Sequence, residues 1–208
     1  MNTDDPYLIL LAGGKSSRMG FPKGLLPYNN TYWILEQISR FQPQKKGIVY
    51  IGLGFDASMY FEAIPWFKDA LKTPQIFKKK QVTVVLNSSP ELGPFSTLQS
   101  VLKMVKTTKD IVVLPIDIPL IGESEFKKIS VIENTVVIPN YDGKNGHPVK
   151  LSYDFWKQLL HLNVLDSDAR LDLQIKLRKP SETTLVAVKE AVILQNLNTP
   201  EVWKKFRL

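Results

Sequence analysis

The first apolar run, YLILLA at positions 7–12, ends on a glycine pair and predicts a strand buried on both faces. In TYWILEQISRF (31–41), Trp33, Ile34, Ile38 and Phe41 recur at helical spacing, with Thr31 as the candidate cap. GIVYIG (47–52) reads as a second strand, and SMYFEAIPWFKDALK (58–72) as a helix interrupted at Pro65. VTVVLN (82–87) reads as a third strand, STLQSVLKMVK (96–106) as a helix, and DIVVLPIDIPLI (110–121) begins as a fourth strand. Strand and helix patterns that alternate in this way predict an α/β fold, a mostly parallel sheet with helices on both faces.

The second half is less periodic. NTVVIPN (134–140) and HPVKLS (147–152) read as strands flanking the turn YDGKNG, and YDFWKQLLHL (153–162) and DARLDLQIKL (168–177) as helices. TTLVAVK and AVILQNL form a candidate final pair of strands. NTPEVWKKF closes as a helix, with Thr199 at the N-cap and Pro200 in the first helical position. No repeat or linker divides the chain, so residues 1–208 are expected to form one domain.

Composition narrows the chemistry. The 208 residues are 44% hydrophobic and 23% charged, as in an ordinary globular protein, and include no cysteine. Disulfides, thiolate metal sites and cysteine nucleophiles are thereby excluded. The opening MNTDDPYLILLAGGK has acidic residues ahead of a short apolar run, unlike a secretory leader, and a cytoplasmic location is expected, with no membrane partner. The net charge of +7 suits an anionic ligand without choosing one. The densest basic stretch, FKKKQ, reads as a solvated loop or a protected sheet edge. No basic face interleaved with aromatic residues is evident, so nucleic acid is not expected as a partner.

The stretch LLAGGKSSRMGFPKGLLP (10–27) carries the strongest chemical signal. A P-loop would need a glycine five positions before Gly14, where the chain has Ile9, so the Gly14-Lys15-Ser16 tripeptide is not one. A second glycine pattern, Gly52, Gly54 and Ala57, lacks the uninterrupted helix and the acidic strand end of a dinucleotide site and reads as a turn. In the first stretch, Gly13 and Gly14 allow close backbone approach to a ligand, and Lys15, Arg18 and Lys23 supply cations for an anionic one.

LAGGKSSRMGFPKGLLP resembles the L-A-[AG]-G-x-S-x-R-M-G…K-x-L-L-P loop of nucleotidyltransferases with a Rossmann-like GT-A fold. More narrowly, it resembles the molybdenum-cofactor cytidylyl- and guanylyltransferases. LPIDIPLI, NGHPVKLS and NLNTPEVW resemble three further segments of that family in the same order, with Val202 in place of its usual acidic residue. The resemblance implies a three-layer α/β/α sandwich of the nucleotide-diphospho-sugar-transferase type. It implies Arg18, Lys23 and Asp117 as catalytic residues, with Asp117 holding Mg²⁺. Leu11, Ala12, Gly13, Gly14, Lys15, Ser16, Lys23 and Asn87 are its implied nucleotide contacts, and His147 and Asn198 its acceptor contacts. His161, on an amphipathic pattern, reads as structural.

The implied substrates are CTP or GTP and a phosphorylated small molecule such as molybdopterin, and the implied protein partner is a molybdoenzyme or its chaperone. Asn87, G-H-P-V and K-G-L-L-P lean toward cytidine, whereas L-A-G-G, G-P-F-S-T-L and N-L-N-T-P-E lean toward guanine, so both bases stay open. A sugar-1-phosphate or methylerythritol-phosphate nucleotidyltransferase is disfavoured by the short interval from Arg18 to Lys23 and by the D-I-P segment. A non-catalytic nucleotide sensor would have no need of Asp117.

Overall fold

The computed structural model describes residues 5–207; residues 1–4, whose acidity entered the reading of the N-terminus, lie outside it. From β1 (Tyr7–Ala12) a long loop leads to a small hairpin, β2 (Pro27–Tyr28) and β3 (Thr31–Tyr32), and then to α1 (Trp33–Arg40). Helix α1 thus starts two residues later than its apolar spacing suggests, and Thr31 is not its cap. Asn29 and Asn30 take positive φ values of 42° and 60°, a backbone region asparagine tolerates, and this turn commits Thr31 and Tyr32 to pairing with Tyr28 and Pro27.

Next come β4 (Gly47–Leu53), α2 (Ala57–Ala63) and α3 (Trp66–Ala70), the two helices separated at Pro65 as expected. A hairpin of β5 (Gln75–Phe77) and β6 (Lys80–Leu86) follows, then α4 (Pro94–Met104), β7 (Ile111–Pro115) and α5 (Glu123–Ser130). The lysine run is the β5–β6 turn: Lys78 and Lys79 sit at positive φ, and Lys80 is buried at the start of β6. Burial pushes the Lys80 ammonium below its ordinary pKa. Helix α5 had no counterpart in the apolar pattern. Its early Glu123 and Glu125 and late Lys127 and Lys128 suit the helix dipole, while Phe126 and Ile129 give it one narrow buried stripe.

The remainder comprises β8 (Val136–Tyr141), β9 (Lys144–Asn145), β10 (Val149–Leu151), α6 (Tyr153–Leu159), α7 (Leu171–Lys176), β11 (Thr183–Ala187) and α8 (Pro200–Arg207). AVILQNL is not a strand. Residues Ala191–Leu194 form a 3-10 turn that buries Ile193, whose carbonyl accepts the His147 N–H at 3.2 Å. Helix α8 begins where Thr199 and Pro200 place it, the Thr199 hydroxyl accepting the Val202 N–H at 3.4 Å.

The main sheet runs β11-β8-β10-β7-β1-β4-β6-β5, with β9 on β8. Strands β7, β1, β4 and β6 are parallel, whereas β10 is antiparallel to both β7 and β8. Alternation along β1 feeds two cores. Leu8, Leu10 and Ala12 pack with Trp33, Phe67, Phe126 and Trp203 on one face. Ile9 and Leu11 pack with α4 and α6 on the other. The fold is therefore a three-layer α/β/α sandwich with a mixed, mostly parallel sheet, and its carboxyl-terminal edge brings the β1 and β7 loops side by side.

Candidate active site

The loop after β1 is built on close backbone approach. A Cβ on Gly13 would lie 2.5 Å from the Thr97 hydroxyl oxygen, and one on Gly54 would lie 2.7 Å from the Gly13 carbonyl. The Gly13 carbonyl also accepts the Phe55 N–H at 3.2 Å. The Gly52/Gly54 pattern is therefore a turn, as expected, but one that buttresses this loop, a role its spacing did not suggest. Gly14 has open space around it and is exposed. Ser16 takes a φ of 51°, and its hydroxyl accepts the Lys23 N–H at 3.3 Å, which folds the loop back on itself. The Tyr60 hydroxyl accepts the Gly24 N–H at 3.2 Å; burial raises the pKa of this phenol, so it remains a neutral partner.

This folding delivers Lys23 to the end of β7. Its ammonium lies 3.0 Å from Asp117 Oδ2 and also donates to Asn198 Oδ1. The three residues are far apart in sequence, and three different segments carry them. The Asp117 carbonyl accepts the Leu197 N–H at 2.8 Å, which fixes the Asn198 segment to the Asp117 turn. The side chains of Lys23 and Asp117 are 15% and 19% exposed, shielded yet open to a ligand. Lys15 and Arg18 are exposed on the loop, and among the described residues neither is joined to this cluster by a hydrogen bond or ion pair.

Over the α4 and α7 face lies a cavity of about 760 Å³, with Leu11, Gly93, Phe95, Val113, His147 and Arg170 in its walls; Lys23, Asp117 and Asn198 do not line it. Ala12 faces away from it into the other core. Asn87 is buried, and its amide is taken up by protein groups. Nδ2 donates to Ser96 and Thr97 hydroxyls at 2.8 and 3.0 Å, and Oδ1 accepts the Ser89 N–H at 3.0 Å. Asn87 thus shapes the turn leading to Gly93 on the cavity wall. His161 is exposed, its N–H on the Gln158 carbonyl.

His147 has a buried Nδ1 with no hydrogen-bond partner among the described residues. Burial, above all, lowers its pKa from 6.5. Between that lowered value and 6.5 the unfolded chain binds the proton more readily. The residue's contribution to stability is therefore complete above pH 6.5 and lost as the pH falls through the folded value. Melting temperatures recorded from pH 7.5 to 5 are expected to fall more steeply for the wild type than for His147→Gln. Parallel curves would show that the imidazole is not held neutral by burial.

Comparison with known proteins adds four findings. The family model described as the MobA-like NTP transferase domain matches residues 8–179, a span that includes Lys23, Asp117 and His147. The molybdenum cofactor guanylyltransferase of Xanthomonas euvesicatoria pv. vesicatoria (strain 85-10) is 23% identical over 197 residues, covering 95% of this chain and 92% of that protein. Among solved structures, a nucleotidyl transferase from Methanothermobacter thermautotroptrophicus superimposes with a TM-score of 0.72 at 18% identity, covering 98% and 96% of the two chains. Rv0371C from Mycobacterium tuberculosis H37Rv, in complex with manganese, does so with a TM-score of 0.65 at 20% identity and 97% coverage of each chain. At these identities the structural likeness establishes the fold.

Proposed function

This chain belongs to the MobA-like NTP transferase domain family and is a nucleotidyltransferase, and we propose that it transfers a nucleoside monophosphate from CTP or GTP to molybdopterin or a related phosphate-bearing acceptor. The observation that carries the reading is the Lys23–Asp117–Asn198 cluster at the carboxyl ends of parallel strands, shielded yet open to a ligand. A molybdoenzyme or its chaperone would then receive the product.

The donor set fits a divalent cation. Asp117 and Asn198 offer two hard oxygens already gathered around one positive charge, the Lys23 ammonium, and Mg²⁺ prefers such ligands together with phosphate oxygens. When bound there, the ion neutralises phosphate charge and polarises the phosphoryl group. A neighbour of the same fold, the mycobacterial Rv0371C, was solved in complex with manganese, which supports a divalent cation as the cofactor.

In the proposed reaction a phosphate oxygen of the acceptor attacks the α-phosphorus in line. A new P–O bond forms, the α–β bridging P–O bond breaks, and pyrophosphate leaves with the electron pair. A phosphate monoester is mostly ionised at neutral pH, its second pKa being about 6, so the site needs no strong general base. Catalysis rests on positioning and charge neutralisation. Lys23 and Arg18 offset charge on the phosphates, Lys15 adds a third cation, and the backbone at exposed Gly14 and Lys15 can meet anionic oxygens. Leu11 and the Ala12 backbone border the nucleotide, Asn87 holds the Ser89–Gly93 turn beside the base, and His147, in the cavity wall, borders the acceptor.

Thermal stabilisation tests the reading. A ligand at 100 times its dissociation constant adds about 2.7 kcal/mol, which for a domain of this size raises the melting temperature by roughly 5–10 °C. CTP or GTP with Mg²⁺ is expected to give that shift, and the base that gives it identifies the donor. The absence of a shift with every common triphosphate contradicts the reading.

A further inference from the structure

Asp117 lies in an irregular stretch between β7 and α5, where buried backbone groups need partners outside the sheet. Two side chains of α1 supply them. The Trp33 indole Nε1 donates to the Ile116 carbonyl at 2.7 Å. One turn later, Gln37 donates through Nε2 to the Ile118 carbonyl at 2.7 Å and accepts the Leu120 N–H through Oε1 at 2.9 Å. Both side chains are wholly buried. The bonds fall on the residue before Asp117 and on two residues after it, so the backbone on both sides of the carboxylate is fixed to one helix.

Trp33 also reaches the supports of the other two cluster residues. Its own N–H donates to the Leu26 carbonyl at 2.9 Å, at the end of the 3-10 turn that carries Lys23. Its ring meets Trp203 of α8 edge-on at 5.4 Å, and α8 follows immediately after Asn198 and its cap. One residue is thereby in contact with the three segments that deliver Lys23, Asp117 and Asn198.

We propose that Trp33 and Gln37 are positioning residues that set the separation of Lys23, Asp117 and Asn198 and so match the Asp117 and Asn198 oxygens to a divalent cation. The inference rests on the reading above, in which those two oxygens hold the metal. A purely structural role makes a different prediction: loss of either side chain would lower stability and leave the cation affinity of the folded protein unchanged. Gln99 supplies the comparison. It is also buried, and its Nε2 donates to the Leu159 and Leu162 carbonyls at 3.2 and 2.8 Å, on the opposite face of the sheet.

Gln37→Met keeps the side-chain volume and removes all of its bonds. Mn²⁺ binding, followed by electron paramagnetic resonance of the free ion without substrate, is expected to weaken by about 10–100-fold, as when groups that orient metal ligands are lost. The kcat should fall with it, while the KM for the triphosphate stays near wild type. Gln99→Met should lower the melting temperature and bind Mn²⁺ as the wild type does. Wild-type Mn²⁺ affinity in folded Gln37→Met overturns the inference, as does an equal loss in Gln99→Met. If Gln37→Met does not fold, Gln37→Glu, which keeps the acceptor for the Leu120 N–H and removes the donor, decides on the same readout. A wild-type protein that retains no Mn²⁺ overturns the metal reading itself, and a metal-binding Gln37→Met at full affinity overturns the positioning role alone.

Discussion

Asp117→Ala and Lys23→Ala are each expected to lose nucleotidyl transfer by about 10²–10³-fold in kcat, the loss typical of removing one preorganised electrostatic partner of a transition state, while the protein remains folded. Both halves of the expectation follow from the same geometry. The pair is only partly shielded, with side chains 15% and 19% exposed at 3.0 Å separation, so its contribution to stability is within about 1 kcal/mol after solvent screening. Removing Asp117 leaves Lys23 on Asn198 and near water, not stranded in a core. The charge pattern offered to a triphosphate, in contrast, is broken in either variant. Steady-state pyrophosphate release together with thermal melting checks this; wild-type turnover in either variant would remove that residue from the mechanism.

Gly146→Ala should produce the largest loss of stability. A Cβ there would lie 2.4 Å from the Ile193 carbonyl oxygen and 2.8 Å from its carbon, both backbone atoms without a rotamer to yield. Residue 146 cannot retreat, because its N–H is bonded to the Pro139 carbonyl at 2.9 Å and the next N–H to Ile193 itself. A cost of about 3 kcal/mol, at the upper end for overpacking, lowers the melting temperature by roughly 6–12 °C and shifts His147 from the cavity wall. Gly14→Ala is the counterpart. Nothing lies within 4 Å of its Cβ position, so stability should stay within about 0.5 kcal/mol, yet triphosphate binding should weaken if the backbone meets the ligand there. A destabilised Gly14→Ala, or a Gly146→Ala with the wild-type melting temperature, would contradict this division between a ligand glycine and a packing glycine.

How much of this was legible in the sequence differs by element. The YLILLA run gave a central strand because its six residues serve two cores at once, a pattern that no exposed segment sustains. Pro65 marked the break between α2 and α3, and Thr199 with Pro200 marked the start of α8, since local chemistry decides both. Strand β10 was visible as a strand, but its insertion between β7 and β8 in antiparallel sense was not: three residues, Val149, Lys150 and Leu151, say nothing about their neighbours. Ala191–Leu194 carries β-forming residues, yet its burial against residues 146 and 147 imposes a 3-10 turn.

The site shows the same division. Lys23, Asp117 and Asn198 were identifiable by resemblance, and the fold unites them across 94 and 175 positions. Asn87 was expected to be a nucleotide contact, while the engagement of its amide by Ser96, Thr97 and Ser89 depends on a turn the sequence does not specify. Trp33 was read as one apolar residue in a helical stripe, and Gln37 drew no attention. Periodicity registers which face is buried and is blind to a buried side chain that bonds a distant backbone, so the α1 grip on the Asp117 turn was outside its reach.

The central claim, transfer of a nucleoside monophosphate with release of pyrophosphate, is tested most directly with CTP and GTP labelled in the α-phosphate. Incubation with molybdopterin and Mg²⁺ is predicted to move the label onto the acceptor, with one pyrophosphate released per label transferred and transfer by Asp117→Ala slowed by about 10²–10³-fold. Release of labelled free monophosphate, or retention of all label in the triphosphate with either base, would contradict it.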